Sequence, residues 1–278
     1  MRAAVLTHRR PEETTAALAA LLAAAREANV ELVFDAEEAA KHAIEPGPGT
    51  VVSPDRDVDI CIVLGGDGTI LRALQLYART ETPVIAVNFG EIGFLATVER
   101  SDMRRGFQRA FAGDYELLKL PALLVDLDHE QHVAINDLAI HRKVGERVAV
   151  ISYSLDGEVA GSVRCDGLVL STPAGSTGYN LANGGPVMAW GVEGYVVSFI
   201  APHSLNARAL VVAPADPIEL TNGSADPLDV VVDGRLVGEL ASGASLQARF
   251  ADAVATLAQP QGSSFYRRLR EKFGRLAS

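Results

Sequence analysis

Over residues 1–115, short wholly apolar runs alternate with stretches whose apolar positions recur at helical spacing. The runs predict strands at Ala3–Thr7, Val30–Phe34, Ile60–Leu64 and Val84–Asn88. Runs without polar alternation are the mark of parallel strands covered on both faces. Helical periodicity predicts helices at Thr14–Ala28, Glu37–His42, Thr69–Arg79 and Met103–Ala112, and the alternation of the two predicts a parallel α/β sheet. Glu45-Pro46-Gly47-Pro48-Gly49 reads as a loop, because it continues neither element.

From Tyr115 the texture changes to successive β-rich runs with little helix between. They predict strands at Leu117–Leu127, Val133–His141, Val148–Leu155, Val159–Arg164, Leu168–Ser171, Val196–Ile200, Leu210–Val212, Leu228–Val232 and Leu246–Phe250. Asp156-Gly157 and Asp233-Gly234 supply turns, so this part reads as an all-β domain. The tail Phe265–Leu276 is amphipathic, with Phe265, Leu269 and Phe273 on one stripe among basic residues. A terminal helix docked by that stripe is expected, rather than a membrane-surface element. The chain divides into an α/β domain over 1–115, a β domain over 116–252 and a tail over 253–278.

Composition narrows the class. Of 278 residues, 48% are hydrophobic and 22% charged, values of a globular chain long enough for two cores. The net charge of −10 argues against nucleic acid as the main partner, while leaving room for anionic small molecules. Two cysteines, Cys61 and Cys165, make neither a disulfide framework nor a metal cluster, which favours a reducing compartment, and no protein-built zinc site is expected. Arg9-Arg10 followed by Ala16–Ala25 has the outline of a signal peptide. However, Glu12 and Glu13 intervene, a strand-like run precedes them, and the segment is too short to span a bilayer. A docked helix in a cytoplasmic protein with no membrane partner is the expectation.

The candidate chemistry begins at Gly65-Gly66-Asp67-Gly68-Thr69, between an apolar strand and a helix. Strand, glycine turn and helix N-terminus favour phosphate, and in such sheets ligands sit at the carboxyl ends of the strands. The turn Asn88-Phe89-Gly90-Glu91-Ile92-Gly93-Phe94 falls at the same edge. An acid among phosphate-binding glycines suggests phosphate chemistry rather than simple holding, with a plain βα turn as the weaker alternative. In the β domain, Asn136-Asp137 interrupts an apolar strand with an amide and a carboxylate, groups suited to ribose hydroxyls or to a bulge. The excursion from Asp166 to Pro186 is rich in small hydroxyls and glycines with one tyrosine. It suits a purine nucleoside, and as a bare structural feature it is a long capped turn.

With Pro202-His203-Ser204-Leu205-Asn206-Ala207-Arg208, these segments resemble one family, the NAD kinases. The family pairs GGDGT with an Asn-Glu/Asp dipeptide, then D-G-x-x-x-x-T-P-x-G-S-T-x-Y, then P-H-S-L-x-x-R. All four stand here in order, and the likeness runs from about Ala3 to the tail. GGDGT alone also occurs in diacylglycerol and sphingosine kinases, and GGDG in phosphofructokinases; the T-P-x-G-S-T block is the specific part. Ala174, Gly178 and Ala209 depart from residues common in the family, and Glu91 holds a variable position.

The resemblance implies a Rossmann-like α/β N-terminal domain, an all-β C-terminal sandwich and a C-terminal helix returning to the first domain. It implies phosphoryl transfer from ATP, another triphosphate or polyphosphate to the 2′-hydroxyl of the adenosine ribose of NAD, giving NADP. Mg²⁺ or another divalent cation enters with ATP, and the chain is a homodimer or homotetramer. Asp67 would align that hydroxyl and accept its proton; Gly68 and the helix start would receive phosphates, with Arg72 neutralising them. Asn136 and Asp137 would hold ribose hydroxyls. Ala174, Thr177, Gly178, Tyr179, Asn180, Leu181 and Ala182 would line the adenine and nicotinamide pockets, and Asp166 would bind the nicotinamide end. Arg147 and Arg164 match positions that contact the dinucleotide, a neighbouring subunit being one possible source. A lipid kinase of the same superfamily and a non-catalytic NADP(H) sensor are the alternatives.

Overall fold

The computed structural model describes residues 1–89 and 93–274, so Gly90, Glu91 and Ile92 of the second turn and Arg275–Leu276 of the tail lie outside the described residues. The chain forms two compact units, one of residues 1–119 and 255–278, the other of residues 120–254.

In the first unit the chain runs β1 (Arg2–Thr7), α1 (Thr15–Glu27), β2 (Glu31–Phe34), α2 (Ala36–His42), β3 (Thr50–Val52), β4 (Ile60–Gly65), α3 (Asp67–Leu76), β5 (Val84–Asn88) and α4 (Met103–Phe111). The strands are parallel, in the order β5-β4-β1-β2-β3. Burial on both faces explains why β4 has no polar position: Ile60 to Leu64 are all inaccessible to water. Helix α1 buries Ala17, Leu18, Leu21, Ala24 and Ala25 in a cluster with Ala3, Val5, Ile60, Ile62 and Phe107. Strand order reverses between β1 and β4, and the glycine turn leaves β4 at that switch point, where open α/β sheets bind ligands.

The second unit contains β6 (Glu116–Leu127, from Leu120 on), β7 (Glu130–Ala134), β8 (Asp137–Arg142), β9 (Ala149–Leu155), β10 (Glu158–Cys165), β11 (Gly167–Ser171), α5 (Tyr179–Ala182), β12 (Tyr195–Ile200), β13 (Leu210–Val212), β14 (Ile218–Asn222), β15 (Leu228–Val232), β16 (Arg235–Leu240) and most of β17 (Ser245–Gln259). One sheet has the order β13-β12-β11-β8-β15-β16; the other includes β10-β9-β14-β17. Leu138, Ile140, Leu168, Leu170 and Val230 of the first share a core with Ile151, Ile218, Leu220 and Leu246 of the second, which makes a sandwich. Asp156-Gly157 and Asp233-Gly234 both have two positive φ values (48° and 79°; 46° and 77°), the backbone a two-residue hairpin turn requires.

The last residues of β17 run parallel to β5, with Leu257 opposite Val84, and α6 (Phe265–Phe273) follows in the first unit. Several strands differ from the sequence reading, and β14 has no counterpart in it. The run over 133–141 is two strands broken at Ile135-Asn136, and β17 continues to Gln259 past a kink at Ala253 (φ 53°). Three-residue β3 lies at the sheet edge, and β16 is an edge strand with little burial, so neither has a clear apolar pattern.

Candidate active site

Helix α3 begins at Asp67, with Gly66 at its N-cap in extended conformation. The Asp67 carboxylate turns back to the loop after β5: Phe94 N–H donates to Oδ2 at 2.8 Å and Leu95 N–H to Oδ1 at 3.2 Å. Burial pushes the carboxyl above its ordinary range, while the amides of Phe94, Leu95 and Ala96, and then the charge of Lys272, pull it back. A Cβ on Gly93 would lie 2.5 Å from Asp67 Oδ1, so the close approach depends on that glycine. Gly68 is exposed, and a Cβ there would meet nothing within 4 Å, leaving the helix start open.

In the second unit a different carboxylate organises the break between β7 and β8. Asp233 accepts from Ile135 N–H (2.9 Å), Asn136 N–H (2.7 Å) and Asp137 N–H (3.0 Å). The Thr172 hydroxyl donates to Ile135 O (2.6 Å), its amide donates to Asn136 O (2.9 Å), and Gly175 N–H donates to Thr172 Oγ1 (3.2 Å). A Cβ on Gly175 would stand 2.1 Å from Asn136 O, so the T-P-x-G-S-T segment and the Asn-Asp break fit only with glycine there. Held this way, Asn136 leaves its Oδ1 buried with no hydrogen-bond partner. Asp137 is almost wholly buried, and burial, then the adjacent Asp233, raises its carboxyl to about 7.

Alternation along β8 puts Asp137, Ala139 and His141 on the face opposite the core residues Leu138 and Ile140. Over that face Tyr179 stacks on His141 (centroids 5.6 Å, 22°), its hydroxyl 3.5 Å from Nδ1. At the other end of β8, Arg142 Nε donates to Asp166 Oδ1 at 2.6 Å, which holds the Asp166 carboxyl below its ordinary value. Asp137 and Asp166 therefore mark the two ends of one strand, roughly 16 Å apart at ~3.3 Å per residue. His203 N–H donates to Arg164 O, tying the Pro202–Arg208 segment beside Asp166.

A family model described as the ATP-NAD kinase N-terminal domain matches residues 6–115, and one described as the ATP-NAD kinase C-terminal domain matches residues 135–255. The NAD kinase of Gemmatimonas aurantiaca is 36% identical, over 99% of this chain and 96% of that one. The chain belongs to the NAD kinase family. The NAD kinase of Lachnoclostridium phytofermentans is 35% identical, over 89% of this chain and 90% of its own. Among solved structures, yeast NADH kinase complexed with NADH superposes with a TM-score of 0.88 at 23% identity, covering 100% of this chain and 89% of that one. An NAD kinase from Archaeoglobus fulgidus in complex with ATP gives 0.77 at 24%, covering 98% of both. These two likenesses speak to the fold.

Within this NAD kinase fold, the expected site residues lie in different surroundings. Asn136 and Asp137 stand at the start of β8 beside the 172–175 turn that contains Ala174, and Tyr179 lies over His141 toward its other end, with Thr177 and Leu181 half-buried and Gly178 and Ala182 exposed. Asn180 departs from the expectation: its Nδ2 donates to Ser176 O (3.0 Å) and Pro186 O (2.9 Å), so the side chain closes the excursion on itself. Arg72 departs too. Its guanidinium is 3.1 Å from Glu38 Oε1, and Glu38, fully buried, also binds Lys41 and the Thr7 hydroxyl. A buried carboxylate left without its cations costs several kcal/mol, on the order of 3–5, so the charge of Arg72 is committed to α2. Arg147 lies exposed in the turn after β8, and Arg164 is exposed on β10.

Sequence reasoning missed Asp233, Thr172, Gly175, Gly93, Arg142 and Arg268 as site builders. Asp233-Gly234 did carry a signal, since an acid in a type I′ turn can bind backbone amides, but nothing local says whose.

Proposed function

We propose that this NAD kinase family member transfers the terminal phosphoryl group of ATP to the 2′-hydroxyl of the adenosine ribose of NAD. The observation that carries the assignment is the Asp67 carboxylate, partly buried, fixed by amides and set at the switch point beside an open helix start. A carboxylate has about four acceptor sites, and three amides leave one for a hydroxyl. In a loose phosphoryl-transfer transition state the nucleophile needs alignment more than deprotonation, so Asp67 orients the hydroxyl first and takes its proton second. Its raised affinity for a proton suits that second step.

Gly68 leaves room for phosphates at the α3 N-terminus. Asn136 Oδ1, buried without a partner, and Asp137 hold the ribose hydroxyls, while Tyr179 and the 174–182 segment supply the ring surface. Asp166 and the exposed Arg147 and Arg164 serve the far end of the dinucleotide. Mg²⁺ arrives with ATP, coordinated mainly by phosphate oxygens and water. When bound, the cation spreads the charge on the transferring group. A homodimer or homotetramer fits the exposed apolar side chains Val159, Leu205 and Leu236, and light scattering reads that size. Two buried free thiols suit a reducing cytoplasm, and no described helix is long and apolar enough to cross a membrane.

The test is incubation with NAD, Mg²⁺ and ATP, with NADP read by an NADP-specific dehydrogenase. NADP formation well above an Asp67→Asn control is expected; formation equal to that control overturns the assignment.

A further inference from the structure

Helix α6 reaches the Asp67 turn through the loop that holds it. Arg268 Nη1 donates to Phe94 O at 2.7 Å and to Ala96 O at 3.2 Å, while Nη2 reaches Gln259 Oε1 at 3.3 Å. The peptides whose oxygens Arg268 grips are in the same short stretch whose N–H groups grip Asp67. Phe94 is also clamped sideways, its ring 6.3 Å from that of Phe265 and 5.4 Å from that of Phe273. The apolar stripe of α6 and its partly buried arginine thus converge on one loop of three residues.

We propose that Arg268 is a positioning residue for phosphoryl transfer, fixing the 94–96 loop so that its amides aim at Asp67 and placing a partly buried positive charge behind that carboxylate. The inference rests on the reading of Asp67 as the group facing the acceptor hydroxyl. Arginine suits the task because its planar fork reaches two carbonyls at once, which a lysine ammonium does with less geometric definition. Burial disfavours the charged guanidinium, and Asp67, Glu271 and Glu99 are the acids that favour it in return. From α6, Lys272 adds a second positive charge facing Asp67. By reciprocity, the Arg268 charge keeps Asp67 ionised against the desolvation that raises it.

The sign follows directly. Removing the charge lets the Asp67 carboxyl rise further, so more of it is protonated and unable to accept the hydroxyl proton at a given pH. Arg268→Met is expected to lower kcat about tenfold or more through lost alignment. The acid limb of the kcat–pH profile should move upward. The KM for NAD should stay within about twofold, since Asn136, Asp137 and Tyr179 are untouched. Arg268→Lys should keep the acid limb near the wild-type position while recovering only part of kcat.

The experiment is the kcat–pH profile of wild type, Arg268→Met, Arg268→Lys and Asp67→Asn, with a thermal melt of each. An inactive Asp67→Asn beside an Arg268→Met enzyme of unchanged kcat and acid limb overturns the role of Arg268 alone. Full activity in Asp67→Asn overturns the Asp67 reading and this one with it. Should Arg268→Met fail to fold, Arg268→Lys carries the test: reduced kcat at wild-type KM supports the role, and unchanged kcat overturns it.

Discussion

Asp67 and Asp233 use their oxygens alike, yet sit in opposite electrostatic company. Each gathers three consecutive backbone amides, those of residues 94–96 for Asp67 and of residues 135–137 for Asp233. The neighbours of Asp67 are the cations Arg268 and Lys272, whereas that of Asp233 is another acid, Asp137. Cations hold Asp67 toward its ionised form against burial. In the second unit Asp137 bears the consequence, and its carboxyl titrates near neutral pH. On the proposed role of Asp67, the same hydrogen-bond pattern serves a reacting group in one place and a brace in the other, and the adjoining charges differ accordingly.

Four changes test that contrast. Asp67→Asn keeps one acceptor oxygen for the loop amides but sets its NH₂ against another N–H, and it loses the proton acceptor. NADP formation is expected to fall by about 10²–10⁴-fold, with a modest drop in melting temperature. Loss of fold along with activity would make Asp67 a brace as well. Asp137→Asn should act in the opposite sense on stability. A buried Asp with its carboxyl raised from 3.8 to about 7 contributes stability that is present below about pH 4 and lost as pH rises through 7. The Asn variant should therefore exceed wild type by up to ~4 kcal/mol at pH 8, converge with it near pH 4, and bind NAD more weakly. Denaturant titrations at the two pH values read this, and equal stability at pH 8 would contradict it.

Asp233→Ala leaves three amides without their acceptor, so a loss of about 2–3 kcal/mol and a raised KM for NAD are expected. An unchanged melting temperature would show that Asp233 is dispensable as a brace. Arg142→Gln should matter least. The Arg142–Asp166 pair is about one-third exposed on each side, so its contribution to stability is expected to be below about 1 kcal/mol. A change confined to dinucleotide affinity, read by calorimetry, would place Asp166 in binding rather than in folding.

Much of the fold was legible because its signals are local. The unbroken apolar run of β4, the helical spacing of Ile70 and Leu74, and the Asp-Gly turns each follow from a few adjacent residues. The Asn136-Asp137 interruption was legible for the same reason, as polar groups set inside an apolar strand. What escaped is long in sequence. Asp233 meets Ile135 from 98 residues away, and Arg268 meets Phe94 from 174. Such pairs leave no periodicity, and an arginine on an amphipathic helix looks the same whether it faces solvent or a buried carbonyl. Arg72 illustrates the converse: one turn from a phosphate-binding loop it reads as a ligand, yet a buried glutamate on the neighbouring helix claims it.

The return of β17 and α6 to the first unit has a consequence for how the enzyme is made. On the ribosome, residues 1–119 emerge early with Asp67 and its glycine turn, but the helix that grips the 94–96 loop is translated only after residues 120–254. A chain released before α6 would carry the whole glycine turn and still lack the helix that grips the 94–96 loop, so on the proposed role of Arg268 it is expected to transfer phosphoryl groups poorly.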